Sequence, residues 1–367
     1  MSTLRQYLAD RCGKPNYTIF TPDPVRAKVE AASGGRNTVI YDDLNQPSVM
    51  VRVDPFNCED IAGAYGAGLH PAFEAGKEYW VGKYLATLLS GRAVSIPSRD
   101  PANTINFDNA MAACRAKGPG WDLMPNGLWA ALAIISRDGN TMPTGNNSYG
   151  REYSALTQQG IQQDWTAPGS NNGNDRTLTG SGPLAWSHDG TPWGVRDLNG
   201  NVWEWVSGMR LVDGEIQIIL DPISADHGVA SSDWSAILQD GSLVAPGTAD
   251  TLKYDATGID GSGSVKINTT VANQSNGSTY ASEQLEAITP VDGVTIPPIV
   301  VQMALAPGTD ALLADRVYMR NISERFPSRG GYWYDTSSAG VFSCYLYYPR
   351  SGTSPGLGFR PAFVSVI

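Results

Sequence analysis

The stretch "GVRDLNGNVWEWVSG", residues 194–208, decides how the rest of the chain is read. "DLNGN" is a tight turn, and Asp197 and Asn199 have the short polar side chains that shape such turns by bonding to nearby backbone. "VWEWV" then alternates as a strand. Trp203 and Trp205 fall on one face and Glu204 on the other. Two tryptophans on one face belong to a core, so this segment is structural rather than catalytic. Glu204 reads as a buried acceptor for backbone or arginine donors.

Upstream lie two helices. "FDNAMAACRAKG" places Phe107, Ala110, Met111 and Cys114 on one helical stripe, with Asn106 as N-cap and Gly118-Pro119 as stop. "PNGLWAALAIISRDG" carries a second helix with Leu128, Trp129, Leu132 and Ile135 inward and Gly139 at its end. "EYWVGKYLATLL" (78–89) reads as a strand or strand pair. Residues 138–192 are Gly/Asn-rich loop, held by side-chain to backbone hydrogen bonds. "TVIYDD" and "VMVRVD" form a hairpin within an N-terminal β-rich piece, residues 1–70, that serves attachment or oligomerisation. Residues 209–320, rich in Gly, Ser, Thr and Asp, read as a surface-exposed insertion with its own hairpins.

The composition excludes several roles. The formal net charge of −10 argues against nonspecific nucleic-acid binding and against a polybasic membrane patch. The longest apolar runs, 128–135 and 296–307, are too short to span a bilayer, so no membrane insertion is expected. The N-terminal sequence "MSTLRQYLADRCGKPN" lacks the apolar centre of a secretory signal. Cys12, Cys58, Cys114 and Cys344 are scattered, without metal-ligand spacing, and read as separate thiols.

Four blocks occur in an order that resembles the formylglycine-generating-enzyme-like (sulfatase-modifying) family. They are "YWVGKY" (79–84), "INFDNAMAACRAKGPGWDLMPNGLWAALA" (105–133), "GVRDLNGNVWEWVSG" (194–208), and "RGG" (329–331) with "GFRPA" (358–362). The resemblance implies an α+β class and a C-type lectin fold with two helices, a twisted antiparallel sheet and long loops. It places a lectin-like domain at residues 71–367. The catalytic branches of that family use a cysteine pair in the last block or a histidine cluster for iron. Here only Cys344 stands in that block, and His70, His188 and His227 are dispersed. An enzyme is therefore not expected, nor a cofactor, while metal binding stays open.

The last block instead resembles the variable region of diversity-generating retroelement proteins. In that group a template codon, often AAC, is rewritten at its adenines. Lys, Glu, Gln, Met and Trp are then out of reach. Within 330–357 there is no Lys, Glu, Gln or Met, and Trp333 reads as fixed scaffold. The resemblance implies variable, ligand-contacting positions at Tyr332, Tyr334, Asp335, Ser338, Tyr345, Tyr347, Tyr348, Gly352, Ser354, Pro355 and Gly356. Trp203, Glu204, Trp205, Arg329, Trp333, Phe359 and Arg360 are the scaffold, with Arg329 and Arg360 locking the ends of the block. In "VFSCYLYY", Phe342, Cys344 and Leu346 alternate with Ser343, Tyr345 and Tyr347, so one face packs and the other displays tyrosines.

The function expected from the sequence is a receptor- or ligand-binding protein with a hypervariable, Tyr-rich surface, set in a phage or prophage host-recognition apparatus. The partner is a host-cell surface protein or glycan. The location is the virion tail tip, or the host cytoplasm before assembly. By analogy the N-terminal piece makes a homo-oligomer, a trimer giving avidity. The alternatives are a formylglycine-generating-type oxidase and a fixed structural virion protein.

Overall fold

The computed structural model describes residues 23–309 and 312–366; Cys12 and the rest of the N-terminal "MSTLRQYLADRCGKPN" lie outside them. The α+β class expected from the sequence is the one observed: among the described residues there are four α-helices and many strands, most of the strands in three sheets. The first sheet is antiparallel throughout, in the order Asn37–Tyr41, Pro47–Val53, Lys77–Gly82, Pro361–Val366, Trp121–Leu123. Its inward residues are β-branched or aromatic. Val51 lies opposite Val81 and Val53 opposite Tyr79, all buried. The boundary expected at residue 70 thus runs between two hydrogen-bonded neighbours. The strands at 37–53 close one side of the sheet that also holds the chain's last strand. The hairpin itself was visible in the sequence; its docking on a strand beyond residue 70 was not, because pairing partners carry no local signal.

Two helices pack on this frame. In Phe107–Arg115 the Asn106 side chain accepts from the Asn109 N–H at 2.9 Å, and Phe107, Ala110, Met111 and Cys114 are buried as the stripe requires. Asn126–Asp138 differs from expectation. Beyond Leu128, Trp129 and Leu132, it also buries Ala130, Ala131, Ala133 and Ile134, while Ile135 is only half-buried. A helix apolar nearly all round is a central helix, not an amphipathic one. The 138–192 loop is tied as the sequence suggested. The Asn146 amide accepts from Gly150 N–H (2.7 Å) and donates to Asp175 O (2.8 Å). The Asn201 amide accepts from Thr177 N–H (2.8 Å) and donates to Thr177 O (3.1 Å).

The second sheet has the order Ala281–Gln284, Arg316–Met319, Gly340–Leu346, Ser328–Gly330, Trp203–Trp205, Leu357–Phe359. Here the Trp203–Trp205 strand is flanked by Ser328–Gly330, antiparallel, and by Leu357–Phe359, parallel. The third sheet is built largely from residues 209–290 and corrects the reading of 209–320 as a surface insertion. Met209, Leu211, Ile216, Ile218, Ile237, Tyr254, Val265 and Ile267 are all buried in the main core. In addition, Arg316–Met319 runs parallel to Gly340–Leu346, with Tyr318 beside Tyr345. Dense Gly, Ser, Thr and Asp at the turns masked these short strands, whose apolar residues are few but fully enclosed.

Candidate ligand-binding surface

The two arginines that bracket the terminal block are fully buried. The Arg360 guanidinium donates to both carboxylate oxygens of Glu204, at 2.6 and 2.5 Å, and to the carbonyls of Gly82 and Arg196 at 3.0 Å. Burial pushes the Glu204 carboxyl up, and the adjoining guanidinium holds it back down. Arg329 donates to Asn126 Oδ1 (2.8 and 2.9 Å) and to the carbonyls of Met303, Ala304 and Phe342. Each guanidinium therefore finds its donors satisfied inside the core, as burial demands.

From Arg329 the chain leaves the sheet through Gly330 and Gly331, with φ of 95° and 100°. A Cβ on Gly331 would lie 2.4 Å from that of Ala339, so this exit needs glycine. Trp333 follows, buried with Leu85 and Val202. Phe359 closes the far end, buried with Trp203 and Trp205. The main chain beneath the block is thus pinned at both ends and in its first turn.

On this floor the tyrosines form two groups of touching rings. Tyr332 meets Tyr334 edge-on at 4.4 Å, and Tyr334 lies 6.3 Å from Tyr149. Tyr345 stacks on Trp203 at 5.2 Å and on Tyr347 at 5.5 Å. Tyr348 joins Tyr345 (5.5 Å), Tyr347 (5.7 Å) and Trp205 (6.3 Å). Such edge and offset contacts each add modestly to the area they bury. Tyr334 is 50% exposed and Tyr332, Tyr345, Tyr347 and Tyr348 are half-buried, so the rings are accessible yet supported. Phe342, Cys344 and Leu346 face the core. Ser343, expected on the display face, is buried instead. Its hydroxyl donates to Ser338 O at 2.7 Å and accepts from Arg316 N–H at 3.2 Å, which joins the block to its parallel neighbour.

The remaining candidate positions fall in two turns. Asp335 and Ser338 lie in the short turn before Gly340–Leu346, both half-buried. Gly352, Ser354 and Pro355 lie in the loop 349–356, where Pro355 is exposed and Ser354 Oγ accepts from Gly356 N–H at 3.2 Å. Gly356 offers no surface. It is buried, and a Cβ there would overlap the Tyr332 ring at 1.5 Å.

Three aromatic members were not read from the sequence. Tyr318 meets Tyr345 at 5.5 Å, Tyr280 meets Tyr347 at 6.0 Å, and Tyr149 meets Tyr334. Tyr280 and Tyr318 come from 209–320, and only the alternation of "RVYM" around Tyr318 hinted at a half-buried strand. Arg320 lies over Tyr347, its guanidinium 5.0 Å from the ring centre.

The electrostatics of the surface are set by burial. It raises the phenols of Tyr332, Tyr334 and Tyr345, and it raises Asp335 to about 7. The Cys344 thiol is buried and pushed up, the setting of an inert thiol. Burial pushes His70, His188 and His227 down to about 4. They lie apart and bond to backbone: His70 Nε2 to Gln302 O (2.9 Å), His188 Nδ1 accepting from Val195 N–H (2.8 Å), His227 Nε2 accepting from Gly208 N–H (3.2 Å). Among the described residues no three His, Cys, Asp or Glu side chains come together to hold a metal ion, and no helix is long and apolar enough to cross a membrane.

Residues 60–214 match the family model for the sulfatase-modifying factor enzyme 1-like domain. That span contains three of the four sequence blocks and stops short of the tyrosine surface. No curated protein matches the chain. Among solved structures, the Major Tropism Determinant P3c variant is 13% identical, covering 87% of this chain and 64% of its own, at a TM-score of 0.32. Treponema denticola variable protein 1 is 12% identical, covering 89% and 98%, at 0.36. PvdO from Pseudomonas aeruginosa is 14% identical, covering 89% and 97%, at 0.31. This chain therefore spans a little under two thirds of the tropism determinant. The resemblance to the sulfatase-modifying family read from the sequence blocks is the one the family model returns over residues 60–214.

Proposed function

We propose that this chain is a binding protein whose Tyr-rich surface, residues 330–357, contacts a ligand and is rewritten by a retroelement. The observation that carries this reading is the division of labour within one segment. Tyr332 and Tyr334, and Tyr345, Tyr347 and Tyr348, form two accessible groups of touching rings, while Arg329, Trp333, Phe359 and Arg360 beside them are buried. An exposed aromatic patch on a fixed frame suits recognition: large rings give contact area at low entropy cost. The codon restriction in 330–357 supports rewriting. Asp335, Ser338, Gly352, Ser354 and Pro355 complete the contact positions. A change at buried Gly356 acts by moving Tyr332.

The setting we propose is a phage or prophage tail tip, with a host-cell surface protein or glycan as partner. Oligomerisation through the N-terminal residues would add avidity. Light scattering on the full-length protein tests this last point, and a monomeric mass removes it.

The decisive test is on DNA. The gene and its downstream region are sequenced from many clones of one population. A near-copy of the 330–362 coding segment beside a reverse transcriptase, with differences confined to template adenines, is the expected result. An invariant block with no copy overturns the diversification and leaves a fixed interface.

A further inference from the structure

We propose that Asp335 and the rings of Tyr332, Tyr334, Tyr345 and Tyr348 form a subsite for a cationic group of the ligand, an alkylammonium or a guanidinium. The inference rests on the binding reading above and adds the chemistry of what is bound. The argument begins with Asp335. Its Oδ2 is shielded from solvent and has no hydrogen-bond partner among the described residues. A buried carboxylate oxygen left unpaired is costly unless something supplies the missing charge or donor.

No cationic side chain among the described residues bonds to that oxygen. Tyr332, Tyr334 and Tyr345 each feel both Asp335 and Tyr348 as electronegative neighbours, so the phenols and the carboxylate lie within electrostatic reach of one another. Tyr318, from the parallel strand, feels Asp335 too. The nearest cations are engaged elsewhere. Arg176 acts on the Tyr332 phenol, but it is paired with Asp100 at 2.8 Å and lies over Trp333. Arg316 donates to Ser282 Oγ at 3.0 Å. Among the described residues no Lys or Arg stacks on the rings of Tyr332, Tyr334, Tyr345 or Tyr348. In the ring group of Tyr345 and Tyr348, however, Arg320 already lies on Tyr347. The chain thus seats one of its own guanidinium groups on this surface and bonds none to Asp335 Oδ2.

A cation over such ring faces is attracted by their quadrupoles, and more strongly where water is displaced. Beside a carboxylate it gains a counter-ion as well. Tyr334, half exposed, is the most accessible ring of the subsite. Since burial raises Asp335 to about 7, the cation and the proton compete there, and binding strengthens as the pH rises through that value. Burial raises the phenols of Tyr332, Tyr334 and Tyr345, so they keep their protons in this range and Asp335 titrates.

The test uses the full-length protein with its tyrosines carbon-13 labelled. It is titrated at constant ionic strength with n-butylammonium chloride, n-propylguanidinium chloride and, as the uncharged control, n-butanol. Saturable shifts confined to the patch rings are expected with the two cations and not with the alcohol. Asp335→Asn is expected to weaken binding roughly tenfold and to abolish its pH dependence. Asparagine is also what an unedited AAC codon encodes, so this variant is one the scaffold should tolerate. Tyr334→Phe, which keeps the ring, should still bind and guards against misfolding of the first variant. No saturable shift, equal shifts with butanol, or undiminished affinity in Asp335→Asn overturns the subsite. If the cations bind but no template copy exists in the DNA, the subsite stands without diversification. If the copy exists and the cations do not bind, diversification stands and the subsite fails.

Discussion

Arg360 and Glu204 show how much of this protein rests on single residues. Both are fully enclosed, and their two-pronged contact joins the Trp203–Trp205 strand to the end of the variable block. Removing one member leaves a buried charge without its partner. Glu204→Gln is expected to cost about 3–5 kcal/mol, read as a shift in the urea midpoint; a loss under about 1 kcal/mol would make the pair dispensable. Asp315 makes a second test. Burial raises its carboxyl to about 8, offset in part by the Phe342 N–H that donates to it at 2.7 Å. The unfolded chain has the ordinary value near 4. The folded form therefore holds this proton more tightly, and stability is lost as pH rises from about 4 to about 8. Asp315→Asn should flatten that fall in urea midpoints across the window, and an unchanged slope refutes the assignment. The roles of Arg329, Arg360 and Glu204 were legible because charged residues embedded in apolar motifs announce burial. Asp315 was not, since it sits in turn-like text whose partner lies on another strand.

At the level of elements, Gly340–Leu346 separates support from display. Leu346→Ala should cost about 2–5 kcal/mol, as a filled core site does. Tyr347→Ala, half-buried on the outer face, should cost about 1 kcal/mol. Comparable losses in denaturant unfolding would mean that the outer face is structural as well. The alternation in "VFSCYLYY" foretold this division except at Ser343, where a hydroxyl small enough to be buried binds two backbone groups. The helix at Phe107–Arg115 was legible because its cap, stripe and stop agree. In 209–320 hairpins were expected, but their burial in the core was not: periodicity needs several residues, and these strands are short and broken by turns. Hence Tyr280 and Tyr318 escaped notice. Replacing both with Ser should change the affinity of any ligand that contacts Tyr345 and Tyr347, measured by calorimetry once that ligand is in hand; unchanged affinity would confine the contact to the terminal block.

Across the whole molecule the governing fact is that distant segments share sheets. Arg360 reaches the carbonyl of Gly82, 278 residues away. Pro47–Val53 pairs with Lys77–Gly82, which pairs with Pro361–Val366. Deleting residues 1–60 should therefore uncover a sheet edge and its apolar face rather than release a stable 71–367 domain. Near-ultraviolet circular dichroism of the truncated chain checks this, and a native spectrum would restore the boundary at residue 70. The α+β class and the anchoring motifs could be read locally. The merging of the N-terminal strands with the rest could not, because such pairings are specified by three-dimensional fit between sequences far apart.

The strand Trp203–Trp205 holds Ser328–Gly330 on one side and Leu357–Phe359 on the other. The ends of everything between are thereby set two strand spacings apart, about 10 Å. The entropy of closing that loop is met by the frame, whatever letters the loop contains. Lengthening it is also cheap, about 0.6 kcal/mol for each doubling of length. The frame can therefore host foreign segments of different length and composition, and its tolerance is a property of one short strand rather than of the sequence it holds.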